Sequence, residues 1–345
     1  MKQAILYGPS DLRFEDRSLN LNDLGNDDVY VEVEVTALST GTDLGNYEGR
    51  STEVPGAPGY PRGIGYSNVG VVRAVGPAVR LLQVGQRVFS MRPHVSAFVA
   101  RQDELMVPVP DSVSSEQASL AYLTELGMAA MRQARYETGE NVVVVGLGVI
   151  GLCTCSLAGA MGAKVVGIAN SLVRVEAARR VGVHAAFVTD EVRKAEHLTE
   201  VFGETGADIV VLTANTWDAY QLAVEIARYG GRISVLGFPG RAQPQPDFNP
   251  LDPKWFYGKQ LTLIGAGYSP HVECQPGDIR FNLRRNVEYI LDLMATGRIS
   301  LENIISHRLP WHRMKDAYEL AKEHSKSLMA AVFDWRSLHV PGGSS

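Results

Sequence analysis

The sequence predicts an α/β protein that combines a doubly wound parallel sheet with a separate, mainly β domain. Three observations indicate this class: apolar strands alternate with helices in the second half, a glycine-rich turn follows the first of these strands, and β-branched residues alternate with polar ones in the first part. Strands separated by crossover helices are typical of a parallel sheet covered on both faces. With 345 residues and 45% hydrophobic content, the chain can form two domains.

The mainly β part is indicated by alternating segments at Val29–Val35, Val69–Val75 and Gln86–Phe89, punctuated by Gly and Pro. This pattern predicts a twisted antiparallel sheet or a partial barrel. A helical stretch then runs from Ser114 to Arg135, with Ser114 as its N-cap.

The parallel sheet is predicted from short apolar runs that are mostly separated by helical segments. The six predicted strands are Val142–Val145, Lys164–Ile168, Ala185–Val188, Ile209–Leu212, Arg232–Leu236 and Leu261–Ile264. Two amphipathic helices, over Ile279–Gly297 and Met314–His324, are predicted near the end of the chain.

Composition excludes several classes of function. The chain has 33 Lys and Arg against 38 Asp and Glu, without a basic stripe that could follow a nucleic acid. No apolar run reaches the roughly 18 residues of a membrane span, and the N-terminus predicts a first strand instead of a signal peptide. Three cysteines cannot form a framework of paired disulfides. We therefore expect a cytoplasmic protein with a small-molecule substrate and neither a nucleic acid nor a membrane as partner.

The strongest chemical signal is a GxGxxG motif between the first strand and the helix that follows it. Gly146 permits the tight turn, Gly148 lets the backbone approach a pyrophosphate, and Gly151 allows close packing of helix and strand. The pyrophosphate is expected at the helix N-terminus, beside Val149 and Ile150. This context predicts a Rossmann dinucleotide-binding domain.

The end of the second strand indicates which dinucleotide binds. An acidic residue usually holds the ribose 2′-OH of NAD there, but this chain has Ala169 in that place. Asn170, Ser171 and Arg174 follow, and they can donate hydrogen bonds and charge to a 2′-phosphate. The sequence therefore favours NADP(H). The alternative is that Arg174 is a solvated helix residue and the enzyme uses NAD(H).

With these motifs, the chain resembles the medium-chain dehydrogenase/reductase superfamily over almost its whole length. The motifs that carry the resemblance are the Gly-Thr-Asp segment in Thr40–Asp43, the glycine turn and valine-rich strand in Gly65–Val72, and the Val-Gly-x-Arg-Val strand in Val84–Val88. The resemblance implies a GroES-like partial-barrel catalytic domain from residues 1–118 and 268–345, around a Rossmann domain from residues 119–267. It also implies a homodimer or homotetramer formed through the edge strand Leu261–Ile264.

Zinc-dependent members of this superfamily place three protein ligands beside the nicotinamide. Thr40 and Tyr66 correspond to two of those ligands, and the third ligand position falls on or near Tyr122. None of these residues is a good zinc ligand. The stretch Phe89–Val99 also lacks the cysteines of the structural zinc lobe. The chain is thus most similar to a zinc-lacking branch that includes bacteriochlorophyllide dehydrogenases, and no metal is expected.

Hydride transfer to a carbonyl builds negative charge on oxygen, which a hydrogen-bond or proton donor must stabilise. We hypothesise that Tyr66 or Tyr122 is the general acid and that Thr40 assists. Thr42 and Ser67 are weaker donors in the same neighbourhood, where they are expected to contact substrate. The alternative is that both tyrosines fill the volume left by the missing metal.

Three further residues have less specific signals. Glu125 is expected close to the nicotinamide as a base or a site for a cationic substrate, although it can equally pair with Arg132 or with another surface cation. His94 and His271 are candidate substrate contacts, His94 in the loop that replaces the zinc lobe and His271 after the sixth strand. A single His is more often structural.

The leading interpretation is a zinc-independent, NADP(H)-dependent oxidoreductase that interconverts a secondary alcohol and a ketone or aldehyde. A second interpretation is NADPH-dependent reduction of an activated C=C or C=N bond. A third is a cofactor-binding protein without turnover.

Overall fold

The computed structural model describes residues 1–50, 59–192, 196–240, 243–267, 269 and 281–339. The chain forms two compact units. We call the first the β-rich unit, which comprises Met1–Tyr122, Val287–Gly297 and Ile305–Ser345. The second is the α/β unit, which comprises Leu123–Asn286 and Arg298–Ile304.

The strands are β1 (Lys2–Leu6), β2 (Leu12–Asp16), β3 (Asp28–Ala37), β4 (Arg62–Gly63), β5 (Asn68–Val75), β6 (Arg87–Ser90), β7 (Ala97–Arg101), β8 (Met106–Pro108), β9 (Asn141–Val145), β10 (Lys164–Ala169), β11 (Ala185–Val188), β12 (Ala207–Leu212), β13 (Ala227–Val235), β14 (Thr262–Gly265), β15 (Ile305–Pro310) and β16 (Ala330–Asp334). The helices are α1 (Thr42–Tyr47), α2 (Ser115–Ala118), α3 (Ala121–Gln133), α4 (Val149–Ala160), α5 (Leu172–Arg180), α6 (Thr189–Val192), α7 (Glu196–Phe202), α8 (Trp217–Ile226), α9 (Leu283–Ala295) and α10 (Met314–Lys322). Single turns of 3₁₀ helix lie at Leu21–Asp23, Gly203–Thr205, Glu302–Ile304, Trp311–Arg313 and Arg336–Leu338.

The β-rich unit is built on a seven-stranded sheet in the order β15-β16-β3-β5-β6-β8, with β7 paired to β3. A smaller sheet has the order β2-β1-β4. In β3 the valines alternate with half-buried polar residues, and Val29, Val31, Val33 and Val35 are fully buried. Because side chains of a strand alternate between two faces, this pattern directs the valines into one core. The predicted mainly β domain is confirmed.

The core of this unit is strongly aromatic. Its largest buried side chains include Trp335, Tyr47, Tyr318, Phe89 and Phe333. The rings of Tyr318 and Phe333 stack with centroids 6.5 Å apart, and those of Tyr47 and Tyr318 lie 4.9 Å apart. Aromatic pairs at this separation stabilise a core beyond the area they bury.

The α/β unit contains a parallel six-stranded sheet in the order β11-β10-β9-β12-β13-β14. The order reverses between β9 and β12, so the carboxyl ends of these strands form the crevice in which doubly wound folds bind nucleotides. All six predicted strands are present, with ends shifted by a few residues, and the predicted Rossmann sheet is confirmed. Strand β14 lies at the edge of the sheet. Formation of a homodimer or homotetramer through this strand stays a prediction.

Two predicted helices have different bounds in the structure. The single helix predicted over Ser114–Arg135 is divided into α2 and α3, although Ser114 is the predicted N-cap and accepts a hydrogen bond from the Gln117 amide. The division follows Ser119, whose hydroxyl donates to the Glu116 carbonyl at 2.7 Å and so competes with helix continuation. The helix predicted from Ile279 begins as α9 at Leu283, and residues 279–280 lie outside the described part.

In the described residues, none of the helices combines the length and the apolar character required to cross a membrane.

The turn between β9 and α4 depends on two glycines. Gly146 has a φ of +100°, a conformation that L side chains rarely adopt. A Cβ atom on Gly151 would lie 1.9 Å from the Gly146 carbonyl oxygen. Helix α4 can therefore approach the end of β9 only because residue 151 has no side chain.

Two glycines of α4 should respond oppositely to alanine. Gly151→Ala should lower the free energy of unfolding by about 1–3 kcal/mol, since its methyl group collides with backbone. Gly159→Ala should raise it by about 0.5–1 kcal/mol, because Gly159 is exposed with nothing within 4 Å of its Cβ position and alanine favours helix. Urea unfolding of both variants measures this, and shifts of the same sign would contradict it.

Candidate functional site

The N-terminus of α4 is the candidate phosphate-binding element of the α/β unit. The first hydrogen bond of the helix runs from the Leu152 amide to the Gly148 carbonyl at 2.9 Å. The preceding amides of Val149 and Ile150 therefore have no partner within the helix. The Thr213 hydroxyl donates to the Gly146 carbonyl at 2.6 Å and steadies the turn. This arrangement suits a pyrophosphate, as the glycine motif predicts.

A second polar site lies where β10 ends and α5 begins. Ala169 closes the strand, Asn170 is exposed, and Ser171 is the N-cap of α5. The Ser171 side chain is 6% exposed, yet its hydroxyl has no hydrogen-bond partner among the described residues. The half-buried Arg174 guanidinium likewise has no ion pair there, and burial lowers the pKa of Arg174. A cation and a hydroxyl that have no partner among the described residues are thus both present at this strand end.

In the β-rich unit, the buried carboxylate of Asp43 joins two loops. It accepts hydrogen bonds from the Ser39 amide at 3.0 Å and from the Gly65 amide at 3.2 Å. The first loop continues to Thr40 and the second to Tyr66. Asp43 is 1% exposed, and desolvation raises its pKa to about 7 despite these two amides, which lower it. One carboxylate therefore positions both predicted catalytic segments.

Tyr66 and Tyr122, the two candidates for the general acid, are in contact. Their rings meet edge to face, with centroids 5.4 Å apart. Tyr122 is only 5% exposed, whereas Tyr66 is more accessible. Desolvation and the nearby Asp43 carboxylate raise the pKa of Tyr66 well above its ordinary value, while the Ser39 and Thr42 hydroxyls oppose this shift. The Tyr66 phenol therefore stays protonated at neutral pH and can donate.

The other predicted hydroxyls differ in their surroundings. Thr40 is half-buried, and Thr42 is exposed in the first turn of α1. The Ser67 hydroxyl donates to the Ser119 carbonyl at 2.6 Å and is 1% exposed. Ser67 therefore has a structural hydrogen bond, and its geometry does not support the substrate contact predicted for it.

His94 also departs from its predicted substrate role. The side chain is fully buried, its Nδ1 is 2.8 Å from the Thr36 hydroxyl, and its Nε2 is 3.2 Å from the Tyr318 hydroxyl. Burial lowers the pKa of His94 to about 3, so the ring is neutral. With both nitrogens engaged inside the core, His94 cannot contact substrate. The alternative interpretation, that His94 is a structural residue, fits its surroundings better.

Glu125 belongs to the α/β unit, where it is fully buried. Its carboxylate accepts a hydrogen bond from the Asn286 side-chain amide at 3.0 Å, and the same amide donates to the Ser269 hydroxyl at 3.0 Å. Sequence reasoning missed Asn286, because 161 positions separate it from Glu125 and no local pattern links them. His271 lies outside the described residues.

Within the described residues, no group of three or more His, Cys, Asp or Glu side chains is arranged to hold a metal ion.

Two family models match the chain. The model described as "Alcohol dehydrogenase GroES-like domain" matches residues 25–106, and the one described as "Zinc-binding dehydrogenase" matches residues 149–280. The first lies within the β-rich unit and the second within the α/β unit.

Individual relatives resemble the chain over nearly its full length. A sorbitol dehydrogenase from Bacillus subtilis is 23% identical over 365 residues, which span 96% of each chain. The crystal structure of galactitol-1-phosphate dehydrogenase from Escherichia coli has a TM-score of 0.79 at 20% identity, covering 97% of this chain and 100% of its own. A putative zinc-binding dehydrogenase from Sinorhizobium meliloti, solved bound to NADP, has a TM-score of 0.76 at 19% identity, covering 96% and 98%.

The buried Asp43 and His94 should make opposite contributions to stability as pH changes. The pKa of Asp43 is raised from 3.8 to about 7, so the folded protein holds this proton more tightly and loses stability as the pH rises between those values. The pKa of His94 is lowered from 6.5 to about 3, so this group adds stability as the pH rises through that window.

Asp43→Asn should remove the first contribution and leave the second. The stability of the variant relative to wild type should therefore rise between pH 4 and pH 7, by about 1 kcal/mol per pH unit. Urea unfolding at several pH values measures the slope. Asp111→Asn, at an exposed position, serves as the control, and a flat or falling difference for Asp43→Asn would refute the assignment.

Proposed function

Because this chain belongs to the medium-chain dehydrogenase/reductase superfamily and is an oxidoreductase, we propose that it interconverts a secondary alcohol and a ketone or aldehyde with NADP(H), without zinc. The observation that carries this proposal is the half-buried, protonated Tyr66 phenol, which lies on a turn tied to Asp43 and packs against Tyr122. The polyol dehydrogenases among its relatives support an alcohol as the reduced member of the substrate pair.

The coenzyme, when bound, accepts a hydride from the alcohol carbon or returns one to the carbonyl carbon. In the direction of reduction, the carbonyl oxygen gains negative charge as the hydride arrives and must gain a proton to become a hydroxyl. Tyr66 donates a hydrogen bond to this oxygen and then its proton, and Thr40 offers a second donor. After reduction, the Tyr66 phenolate regains a proton from solvent. In oxidation, the phenol must first release its proton to solvent, and the phenolate oxygen then takes the proton of the alcohol. Tyr122 supports the Tyr66 ring by edge-to-face packing.

The donor set at the zinc positions of the superfamily does not fit a zinc ion. Zinc in proteins is held by thiolate, imidazole or carboxylate groups, whereas Thr40, Tyr66 and Tyr122 offer hydroxyl oxygens. A phenol would have to lose its proton to bind well, and burial with the adjacent Asp43 raises the pKa of Tyr66 instead. We therefore derive no step through a metal.

The site at the start of α5 supports NADP(H) over NAD(H). Ala169 leaves no carboxylate that would hold a ribose 2′-OH and repel a 2′-phosphate. The Ser171 hydroxyl and the Arg174 guanidinium, both without partners in the described part of the chain, are suited to bind that phosphate. The glycine turn and the amides of Val149 and Ile150 would hold the pyrophosphate.

Tyr66→Phe should lower kcat by on the order of 10²-fold, since the variant keeps the ring but loses the proton donor. The assay is NADP⁺ reduction with a panel of secondary alcohols and polyols that includes sorbitol, together with NADPH oxidation by the matching ketones. Tyr122→Phe tests the neighbouring phenol. Tyr136→Phe is the matched control, because its hydroxyl donates only to backbone of the α/β unit, at the Met161 carbonyl.

Near-normal turnover of both Tyr66→Phe and Tyr122→Phe would eliminate a phenol as the donor. Dialysis against a strong chelator should leave kcat unchanged, and a loss restored by added Zn²⁺ would eliminate the zinc-independent mechanism.

Arg174→Gln should weaken NADPH binding by roughly tenfold to a hundredfold and leave NADH binding nearly unchanged, because only NADPH carries the 2′-phosphate. Arg180→Gln, at an exposed position of the same helix, controls for the loss of one positive charge. Titration of each variant with both coenzymes measures the ratio of dissociation constants. Equal weakening for NADPH and NADH would show that Arg174 does not read the phosphate.

A further inference from the structure

We propose that His94 is a positioning residue for Tyr66, and that it acts by supporting the Gly65–Tyr66 turn from inside the β-rich unit. This inference rests on the proposed role of Tyr66 as the donor. It assigns to His94 a task other than substrate contact, which its full burial excludes.

The first support is direct contact between the ring of His94 and the turn. A Cβ atom on Gly65 would lie 2.5 Å from Cδ2 and 2.6 Å from both Cγ and Nε2 of His94. Gly65 also has a φ of +88°, which favours glycine. The backbone at Gly65 therefore rests against the imidazole, and the residue that follows it is Tyr66.

The second support is a main-chain hydrogen bond. The His94 amide donates to the Ile64 carbonyl at 2.8 Å, and the Gly65 amide donates to Asp43 at 3.2 Å. The segment just before Tyr66 is thus fixed on two sides, by His94 at residue 64 and by Asp43 at residue 65. A displacement of His94 would be transmitted to Tyr66 through a single glycine.

The third support is the hydrogen bonding that fixes the His94 ring itself. Trp335 donates from Nε1 to the Thr36 hydroxyl at 3.0 Å, Thr36 lies 2.8 Å from His94 Nδ1, and Tyr318 lies 3.2 Å from His94 Nε2. Phe333 packs edge to face on the ring, with centroids 5.3 Å apart. These contacts hold the imidazole between β3, β16 and α10, so its orientation is set by three elements.

The residues around His94 also interact electrostatically with the proposed donor, Tyr66. Desolvation raises the pKa of Tyr318, the residue that contacts His94 Nε2, and Asp43 and Tyr66 raise it further. Asp43, Tyr318 and His94 are buried, and the half-buried Tyr66 lies beside them in the same polar cluster. Burial lowers the pKa of His94, and in the described part of the chain no cation or carboxylate contributes to that shift. A neutral, rigid ring can support the turn without adding charge beside the donor.

The test is a double-mutant cycle between His94 and Tyr66, in which kcat is expressed per mole of bound NADPH. His94→Asn should lower kcat by on the order of tenfold when Tyr66 is present, because a displaced donor transfers its proton less well. In the Tyr66→Phe background the same change should cost less than about twofold, since no donor is left to misplace. The dissociation constant of NADPH should not change in either background.

His94→Gln is the conservative variant, because its amide can still reach the Tyr318 hydroxyl, and it should recover part of the lost kcat. It also keeps the test available if His94→Asn does not fold. Ser115→Ala is the matched control, because it removes a hydrogen bond of a buried hydroxyl in the same unit, from Ser115 to the Glu34 carboxylate at 2.6 Å, and leaves the contacts of the His94 ring intact. This variant should lower thermal stability while changing kcat by less than about twofold in both backgrounds.

The outcomes separate the two proposals. An equal loss of kcat from His94→Asn in both backgrounds would assign His94 a purely structural role and overturn this inference, while the role of Tyr66 would stand. Unchanged turnover of Tyr66→Phe would instead overturn the donor, and with it any positioning of that donor by His94.

Discussion

The arrangement of the β-rich unit depends on the buried carboxylate of Asp43, which accepts the amides of Ser39 and Gly65. A loop that leaves β3 and a turn that follows β4 end on the same acceptor, so neither can move without exposing a buried donor. An unsatisfied buried amide costs about 1–3 kcal/mol, which is a large share of the stability of a domain. The carboxylate is isolated from solvent, and its pKa of about 7 reflects the desolvation that this task requires.

A comparable constraint shapes the α/β unit, but there it is steric. Helix α4 approaches the end of β9 because Gly151 leaves room for the Gly146 carbonyl. The contact directs the first amides of the helix toward the crevice where the strand order reverses. At the neighbouring strand end, Ser171 and Arg174 retain unused hydrogen-bonding capacity among the described residues, at the position where relatives of this fold recognise the ribose.

Much of the fold was predictable from local pattern. The alternation of Val29–Val35 and the apolar runs from Val142 onward specify strands, because side-chain direction in a strand depends only on sequence position. The glycine motif is equally local, since its three glycines lie within six residues of one turn. The helix break at Ser119 was not predicted. The Ser119 hydroxyl competes with helical amides for the Glu116 carbonyl, and this competition leaves the apolar periodicity of the sequence unchanged. The expectation that Tyr66 and Tyr122 lie near each other rested on a family resemblance and not on local pattern. In the structure the two rings are in contact.

The sequence by itself determined the order of strands and helices, the glycine turn, and the absence of an acidic residue at the end of β10. Only the tertiary structure decided the roles of buried polar side chains. His94 and Ser67 are plausible substrate contacts in the sequence, yet the first is bound to Thr36 and Tyr318 and the second to the Ser119 carbonyl. Glu125 finds its partner 161 positions away. The physical reason is that a buried polar group is defined by its hydrogen-bond partners, and those partners meet only when distant segments pack together.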